Sequence, residues 1–144
     1  MTDVAFHTGI ANPLDYACRL LRKAYRSGAR VAVHADPALL DRLDQALWVS
    51  EQLDFTPHVL LRAGAALPSA VVIERTPLWL LMRPEPALRC DSGINLGCDE
   101  LDLAAAHERL AEVVSLNSDD MAAGRARWKR YESQGHQLVH RPQR

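Results

Sequence analysis

The segment GRARWKRYESQG, from Gly124 to Gly135, concentrates basic and aromatic side chains near the end of a chain whose formal net charge is −1. Arginine can pair with a carboxylate through two parallel hydrogen bonds, and an aromatic ring offers an apolar contact surface. The segment therefore predicts a receptor for a ligand that is both acidic and apolar. On a helical wheel, one face of residues 121–133 collects Met121, Arg125, Trp128, Lys129 and Glu132, with Gly124 and Tyr131 at its edge.

Two classes of ligand suit this face. Single-stranded nucleic acid stacks its bases on aromatic rings in a basic groove. An acidic peptide ending in an apolar residue would instead place its side chain on Trp128 and its carboxylates on Arg125 or Lys129. The peptide is favoured, because a domain dedicated to nucleic acid usually carries a wider positive field. A structural interpretation stays open, in which Trp128 and Tyr131 pack inward and the charges are only solvated.

Composition limits the class of protein. The chain has 144 residues, of which 48% are hydrophobic and 24% charged, so we expect one globular domain over residues 1–144. No apolar run reaches the roughly 20 residues that span a bilayer, and the start MTDVAFHTGI is not a secretory signal, which predicts a soluble cytoplasmic protein. Residues 91–120 carry eight acids and one arginine, whereas residues 121–144 carry six bases and one acid. This asymmetry points to charged partners.

Motifs for cofactors and catalysis are missing from the sequence. There is neither a G-x-G-x-x-G nor a G-x-x-x-x-G-K-S/T pattern, and the first strand-to-helix turn, HTGIANP, has a single glycine. No G-x-S-x-G motif marks a nucleophile. The three cysteines lack the paired spacing of a zinc site, and His136 and His140, which have the H-x-x-x-H interval, fall after Gly135 in a predicted turn or extended tail. His107 is expected to be a half-buried, hydrogen-bonded side chain. We therefore expect no cofactor and no metal; a small nucleotide-dependent enzyme is a weaker alternative.

Local signals predict an alternation of strands and helices. VAFHT suits a first strand, and Asn12 with Pro13 opens a helix that Gly28 ends. Arg30 to His34 follows as a buried strand, so this unit implies parallel pairing. Asp36 and Pro37 open a second helix. Further strands are predicted at 58–61, 70–73 and 78–82 and in SGINLG. A third helix is predicted from Asp99, with an apolar face made of Leu103, Ala106, Leu110, Val113 and Val114. A fourth helix holds GRARWKRYESQG, and a turn or extended tail follows Gly135.

Alternation at this spacing predicts an α/β fold of three layers, helices on both sides of a mostly parallel sheet. The sheet is expected to be Rossmann-like in arrangement and to lack the glycine loop that binds a nucleotide. Such a shape does not by itself imply a bound nucleotide.

Several segments resemble the chi subunit of the bacterial DNA polymerase III holoenzyme. They are DRLDQALW (Asp41 to Trp48), FTPHVL (Phe55 to Leu60), RARWKRYESQGHQL (Arg125 to Leu138) and the first helix ending in RSGARVAV. They occur in the same order as in that family and cover the beginning, middle and end of the chain.

The resemblance implies a non-enzymatic adaptor. Members of this family join the psi subunit, and through it the clamp loader, to the acidic C-terminal tail of single-stranded-DNA-binding protein, so contact with DNA is indirect. Carried over by position, Arg125 would meet the terminal carboxylate of the tail, with Trp128 and Lys129 beside it. Further residues implied for the two surfaces are Tyr131 and Gly135, which shape the same end of the tail site, Leu116 as its apolar wall, and Trp48 and Phe55 toward psi. The family commonly has an aromatic residue after Gly135, whereas this chain has His136, which would make the tail site less apolar or pH-sensitive.

Overall fold

The computed structural model describes residues 1–49, 56–99 and 102–143. Its strands are β1 (Asp3–Ile10), β2 (Val31–His34), β3 (His58–Leu60), β4 (Leu78–Leu80), β5 (Ser92–Asn95), β6 (Arg109–Ser115) and β7 (Gln137–Pro142). Its helices are α1 (Pro13–Arg26), α2 (Pro37–Val49), α3 (Ala70–Arg75), α4 (Leu103–Ala106) and α5 (Ser118–Ser133), with a 3₁₀ turn at Pro86–Leu88.

Within the described residues the strands form one parallel sheet in the order β3-β4-β2-β5-β6-β1-β7. Right-handed crossovers put α1 and α2 on one face and α3, α4 and α5 on the other. The packing agrees, because Leu21 and Leu43 share a core with Val33, whereas Tyr131 shares one with Phe6 and Leu110. The predicted three-layer α/β architecture is confirmed.

The first strand-helix-strand unit follows its local signals. Asn12 accepts a hydrogen bond from the Asp15 backbone at 3.1 Å, Pro13 starts α1, and Gly28 follows its end with φ +78°. Cys18 is buried in the core as a small hydrophobe. All four residues of β2 are buried, as the interior strand of a parallel sheet requires.

Two predicted elements were wrong, and one strand was not predicted. Residues 70–73 begin α3 because the Ser69 hydroxyl caps the helix by accepting from the Val72 backbone, although the run of branched residues suggested a strand. The predicted third helix stops at Ala106, and its supposed continuation is β6. β6 lies inside the sheet and carries apolar residues on both faces, so helical and strand periodicity cannot be told apart there. The tail after Gly135 is β7, which pairs with β1.

A buried ion pair holds α5 against the sheet. The Arg127 Nε donates to Glu112 on β6 at 2.9 Å, and the same carboxylate accepts from Tyr131 at 2.7 Å and from Asn95 at 3.0 Å. Arg127 also donates to Asp99. Burial raises the pKa of the Glu112 carboxyl, while the charge of Arg127 opposes that rise. The pair fixes the rotation of α5, with Gly124, Arg127 and Tyr131 facing the sheet.

Replacing Arg127 by alanine leaves the Glu112 carboxylate buried without its guanidinium. We expect Arg127→Ala to lose about 3 to 5 kcal/mol of unfolding free energy in urea denaturation. Arg125→Ala is the matched control, because it removes the same side chain from an exposed position of the same helix. We expect it to change the unfolding free energy by less than about 0.5 kcal/mol. Equal losses in the two variants would contradict the buried pair.

Two buried histidines, His34 and His107, are in contact on the side of the sheet that α5 covers. The Nε2 atoms of His34 and His107 are 2.8 Å apart, and Gly93 leaves the space that the His107 ring fills. The expectation of a hydrogen-bonded His107 is confirmed. Burial, and then the charge that His107 acquires, lowers the pKa of His34 to about 4. Burial also lowers the pKa of His107.

This pair predicts a loss of stability in mild acid. The folded pKa of His34 lies below its unfolded value of 6.5, so the unfolded chain takes up the proton first as pH falls. We expect about 3 kcal/mol of unfolding free energy to be lost between pH 6.5 and pH 4 from this group. His34→Gln should flatten that slope in urea titrations at several pH values. Identical slopes for His34→Gln and the unchanged protein would refute the assignment.

Candidate functional site

A groove of about 520 Å³ lies between α5 and the carboxyl ends of β1 and β6. Its lining residues are mostly apolar, and none of the described ones is acidic. They are Phe6, Thr8, Gly9, Val114, Leu116, Met121, Gly124, Arg125, Trp128 and His140.

The topology opens this groove. β1 and β6 are neighbours, but β1 leads into α1 on one face and β6 leads into α5 on the other. Chains that leave adjacent strand ends in opposite directions leave a crevice, and ligands of open α/β sheets commonly bind there.

A backbone irregularity in β1 shapes the floor of the groove. The register with β6 shifts between His7 and Ile10, and Gly9 has φ +73°. A Cβ at Gly9 would lie 2.7 Å from the Gln143 carbonyl oxygen. Both the positive φ and the close approach require glycine there. β7 is thereby held against the end of β1, where the Gln143 backbone donates to the Thr8 carbonyl at 2.9 Å.

The start of α5 is tied to the end of β6. Asn117 is the N-cap and accepts from the Asp119 and Asp120 backbones at 2.9 and 3.2 Å, so these two acids lie in the first turn and are not themselves the cap. The Asp120 carboxylate accepts from the Ser115 backbone at 2.7 Å. This short connection presents Leu116, which is 61% exposed, at the mouth of the groove.

Aromatic rings form the inner wall. The half-buried Trp128 ring lies 5.1 Å from Phe6, and His140 on β7 approaches it edge-on at 6.5 Å. The His140 Nε2 is 2.6 Å from the Thr8 hydroxyl, which joins β7 to β1 across the groove. An apolar side chain entering here would contact Trp128 on one side and Leu116 on the other.

The predicted tail-site residues separate into two groups. Arg125, Trp128 and Leu116 line the groove together. Lys129 is exposed one turn beyond Arg125, outside the lining, and Gly135 follows the end of α5 with φ +83°. Tyr131 is fully buried behind Trp128, on the Glu112 carboxylate. The interpretation that these aromatic side chains pack inward therefore holds for Tyr131, which is fully buried. It holds only in part for Trp128, which is half-buried and also lines the groove.

His136 does not line the groove. Its Nδ1 accepts a hydrogen bond from the Thr2 backbone at 3.0 Å, at the amino end of β1. The histidine in the groove is His140, which the sequence analysis did not select. Phe6, Thr8 and Gly9 were missed as well, because they reach the site through pairing of β7 with β1. The sequence signal for this pairing was the spacing of Leu138, His140 and Pro142, which lie two residues apart and would share one face of a strand.

The predicted psi surface lies at the opposite edge of the sheet. Trp48, near the end of α2, is 55% exposed, and its ring lies 4.9 Å from His58 on β3. His58 is held by Asp44 at 2.8 Å. Phe55 lies outside the described residues. β3 and β7 are six strand spacings apart, or roughly 29 Å.

The described residues offer little for other chemistry. They contain no group of three or more side chains placed to hold a metal ion. Burial raises the pKa of the Cys90 and Cys98 thiols to about 11, so neither is a ready nucleophile. In this part of the chain no helix has the length and apolar character needed to cross a membrane.

Comparison with known proteins shows the family of the chain. Residues 1–139 match the family described as DNA polymerase III chi subunit, HolC. A protein named DNA polymerase III subunit chi, from Pseudomonas aeruginosa strain PAO1, is 32% identical over 126 residues, which cover 87% of this chain and 82% of the relative. The chain belongs to the DNA polymerase III chi subunit family, a family of accessory subunits in DNA replication.

Proposed function

We propose that this protein is a non-catalytic adaptor, formed by one chi-like domain, that binds the acidic C-terminal tail of single-stranded-DNA-binding protein. One observation carries the proposal: Arg125, Trp128 and Leu116 surround a single apolar groove with no acid among its described lining residues. Such a groove suits a chain end that combines an apolar side chain with carboxylates. A second surface near Trp48 would bind the psi subunit and thereby join the tail to the clamp loader.

Charge sets the direction of the bound tail. The last apolar side chain would enter the groove between Leu116 and Trp128, and its terminal carboxylate would pair with the exposed Arg125 guanidinium. Asp119 and Asp120 occupy the first turn of α5 and repel further acids from that end. The preceding acidic residues would therefore run toward Lys129. Tyr131 and Gly135 would act from behind, by fixing α5 and the turn into β7.

Direct binding of single-stranded nucleic acid is the alternative function. Sequence-tolerant binding needs several aromatic platforms along a basic track. In the groove, the aromatic side chains are the half-buried Trp128, the buried Phe6 and the imidazole of His140, and Arg125 is the one lysine or arginine among the described lining residues. The groove therefore favours a short peptide end, and contact with DNA would be indirect.

The terminal carboxylate gives the first test. In calorimetric titration, Arg125→Ala should weaken binding of the host tail peptide by about 1.5 to 3 kcal/mol, because a charge-assisted hydrogen bond is lost. Trp48→Ala is the matched control at the far edge of the sheet and should leave this affinity unchanged.

Ligand variants separate the two functions. A tail peptide without its last residue should lose most of its affinity for the unchanged protein, and a short single-stranded oligonucleotide should not compete with the full peptide. If the oligonucleotide alone binds, with an affinity that falls steeply as salt rises, the adaptor proposal is wrong and the nucleic-acid alternative holds.

The psi surface gives a separate prediction. An exposed tryptophan at the centre of an interface commonly contributes at least about 2 kcal/mol, so Trp48→Ala should weaken binding of purified psi by that amount or more. Arg125→Ala should bind psi normally. The measurement is a titration of both variants with psi. A loss of psi binding in Arg125→Ala alone would show that the surface near Trp48 is not the psi surface.

A further inference from the structure

The sheet face that carries α1 is only partly covered. α1 runs from β1 to β2 and so passes over β6 and β5, while α2 continues toward β3. Among the described elements no helix on this face covers β7 or the amino-terminal half of β1. Val139 on β7 is consequently 47% exposed, although its partner strand β1 lies inside the sheet.

This gap is a second groove, of about 680 Å³, beside the carboxyl-terminal half of α1. Its floor includes Ala5, Ala111 and Val139, small apolar side chains from three adjacent strands, and Ala24 of α1 forms one wall. It lies on the opposite face of the sheet from the Arg125 groove, because Ala5 and Val139 point away from the face that Phe6 and His140 occupy.

The basic residues of this groove surround an apolar floor. Lys23 lines it from α1, Arg109 from the start of β6 and Arg141 from β7, and the acidic residue among the described lining is Asp3. A ligand with carboxylates along its edges and an apolar centre would be complementary.

The dimensions fit one helix. Three adjacent strands span about 10 Å from the first to the third, and an α-helix with its side chains is about 10 to 12 Å wide. A sheet of this class buries each face under helices, and the small side chains of the floor allow a helix to approach closely.

We propose that this groove docks an amphipathic helix of a partner protein, with small apolar residues along its buried stripe and glutamates or aspartates along both edges. Nucleic acid is disfavoured as the occupant, because the described lining contains no aromatic side chain on which a base could stack. The proposal is independent of tail binding, since the two grooves share neither a face of the sheet nor a basic residue.

The test uses a synthetic amphipathic peptide of about 18 residues, or five helical turns, with an alanine and leucine stripe and glutamate edges. Two twins complete the set: one with lysine edges and one with a proline at its centre. Each is titrated into the ¹⁵N-labelled full chain, and into Arg125→Ala to remove binding at the tail groove. Amide shifts locate the site, and their concentration dependence gives the affinity.

We expect the glutamate peptide alone to shift Ala5, Ala111 and Val139. Lys23→Glu combined with Arg141→Glu should weaken it by about tenfold or more. The matched control, Arg19→Glu combined with Arg26→Glu, changes the net charge of the protein by the same amount, but outside the groove lining, and should have less effect. The proposal is overturned if the glutamate peptide shifts only residues around Trp128 or none, if either twin binds as well, or if an oligonucleotide displaces it from these residues.

Discussion

The buried pair between Arg127 and Glu112 decides what α5 can do. A guanidinium and a carboxylate that are both withdrawn from water tolerate little displacement, because either charge alone would be very costly. Their contact, with Tyr131 on the same carboxylate, sets the rotation of the helix. The rotation in turn leaves Arg125 in solvent and Trp128 at the groove, so an interior interaction determines which of two neighbouring arginines is available to a ligand.

The order of the strands then distributes the binding surfaces. Because the chain leaves β1 and β6 toward opposite faces, a crevice forms at their carboxyl ends, and because α1 moves away from β1, the other face of β1 and β7 is left open. Trp48 lies at the far edge, beside β3. On the proposed assignments, this topology would keep separate partners of the accessory subunit on separate surfaces.

Elements that depend on contacts between residues close in sequence were predicted from the sequence, whereas those that depend on distant residues were not. The caps of α1 and α2 are local, and the sequence predicted both helices. β6 was misassigned as a helix because its apolar residues are buried on both faces of the sheet. Because of that error, neither the buried Glu112 nor the burial of Arg127 was predicted. Likewise the α5 side of the groove, with Arg125 and Trp128, could be predicted, whereas Thr8, Gly9 and His140 enter it only through the pairing of two strands more than a hundred residues apart.

The most direct test is an NMR spectrum of the arginine Nε–H groups, recorded before and after addition of the tail peptide. We expect the Arg127 Nε–H to exchange slowly with water in both states, because Glu112 accepts its hydrogen bond inside the protein. We expect the exposed Arg125 Nε–H to exchange fast and to shift when the peptide binds. An Arg127 signal that exchanges as fast as that of Arg125, or that shifts in its place, would contradict these expectations.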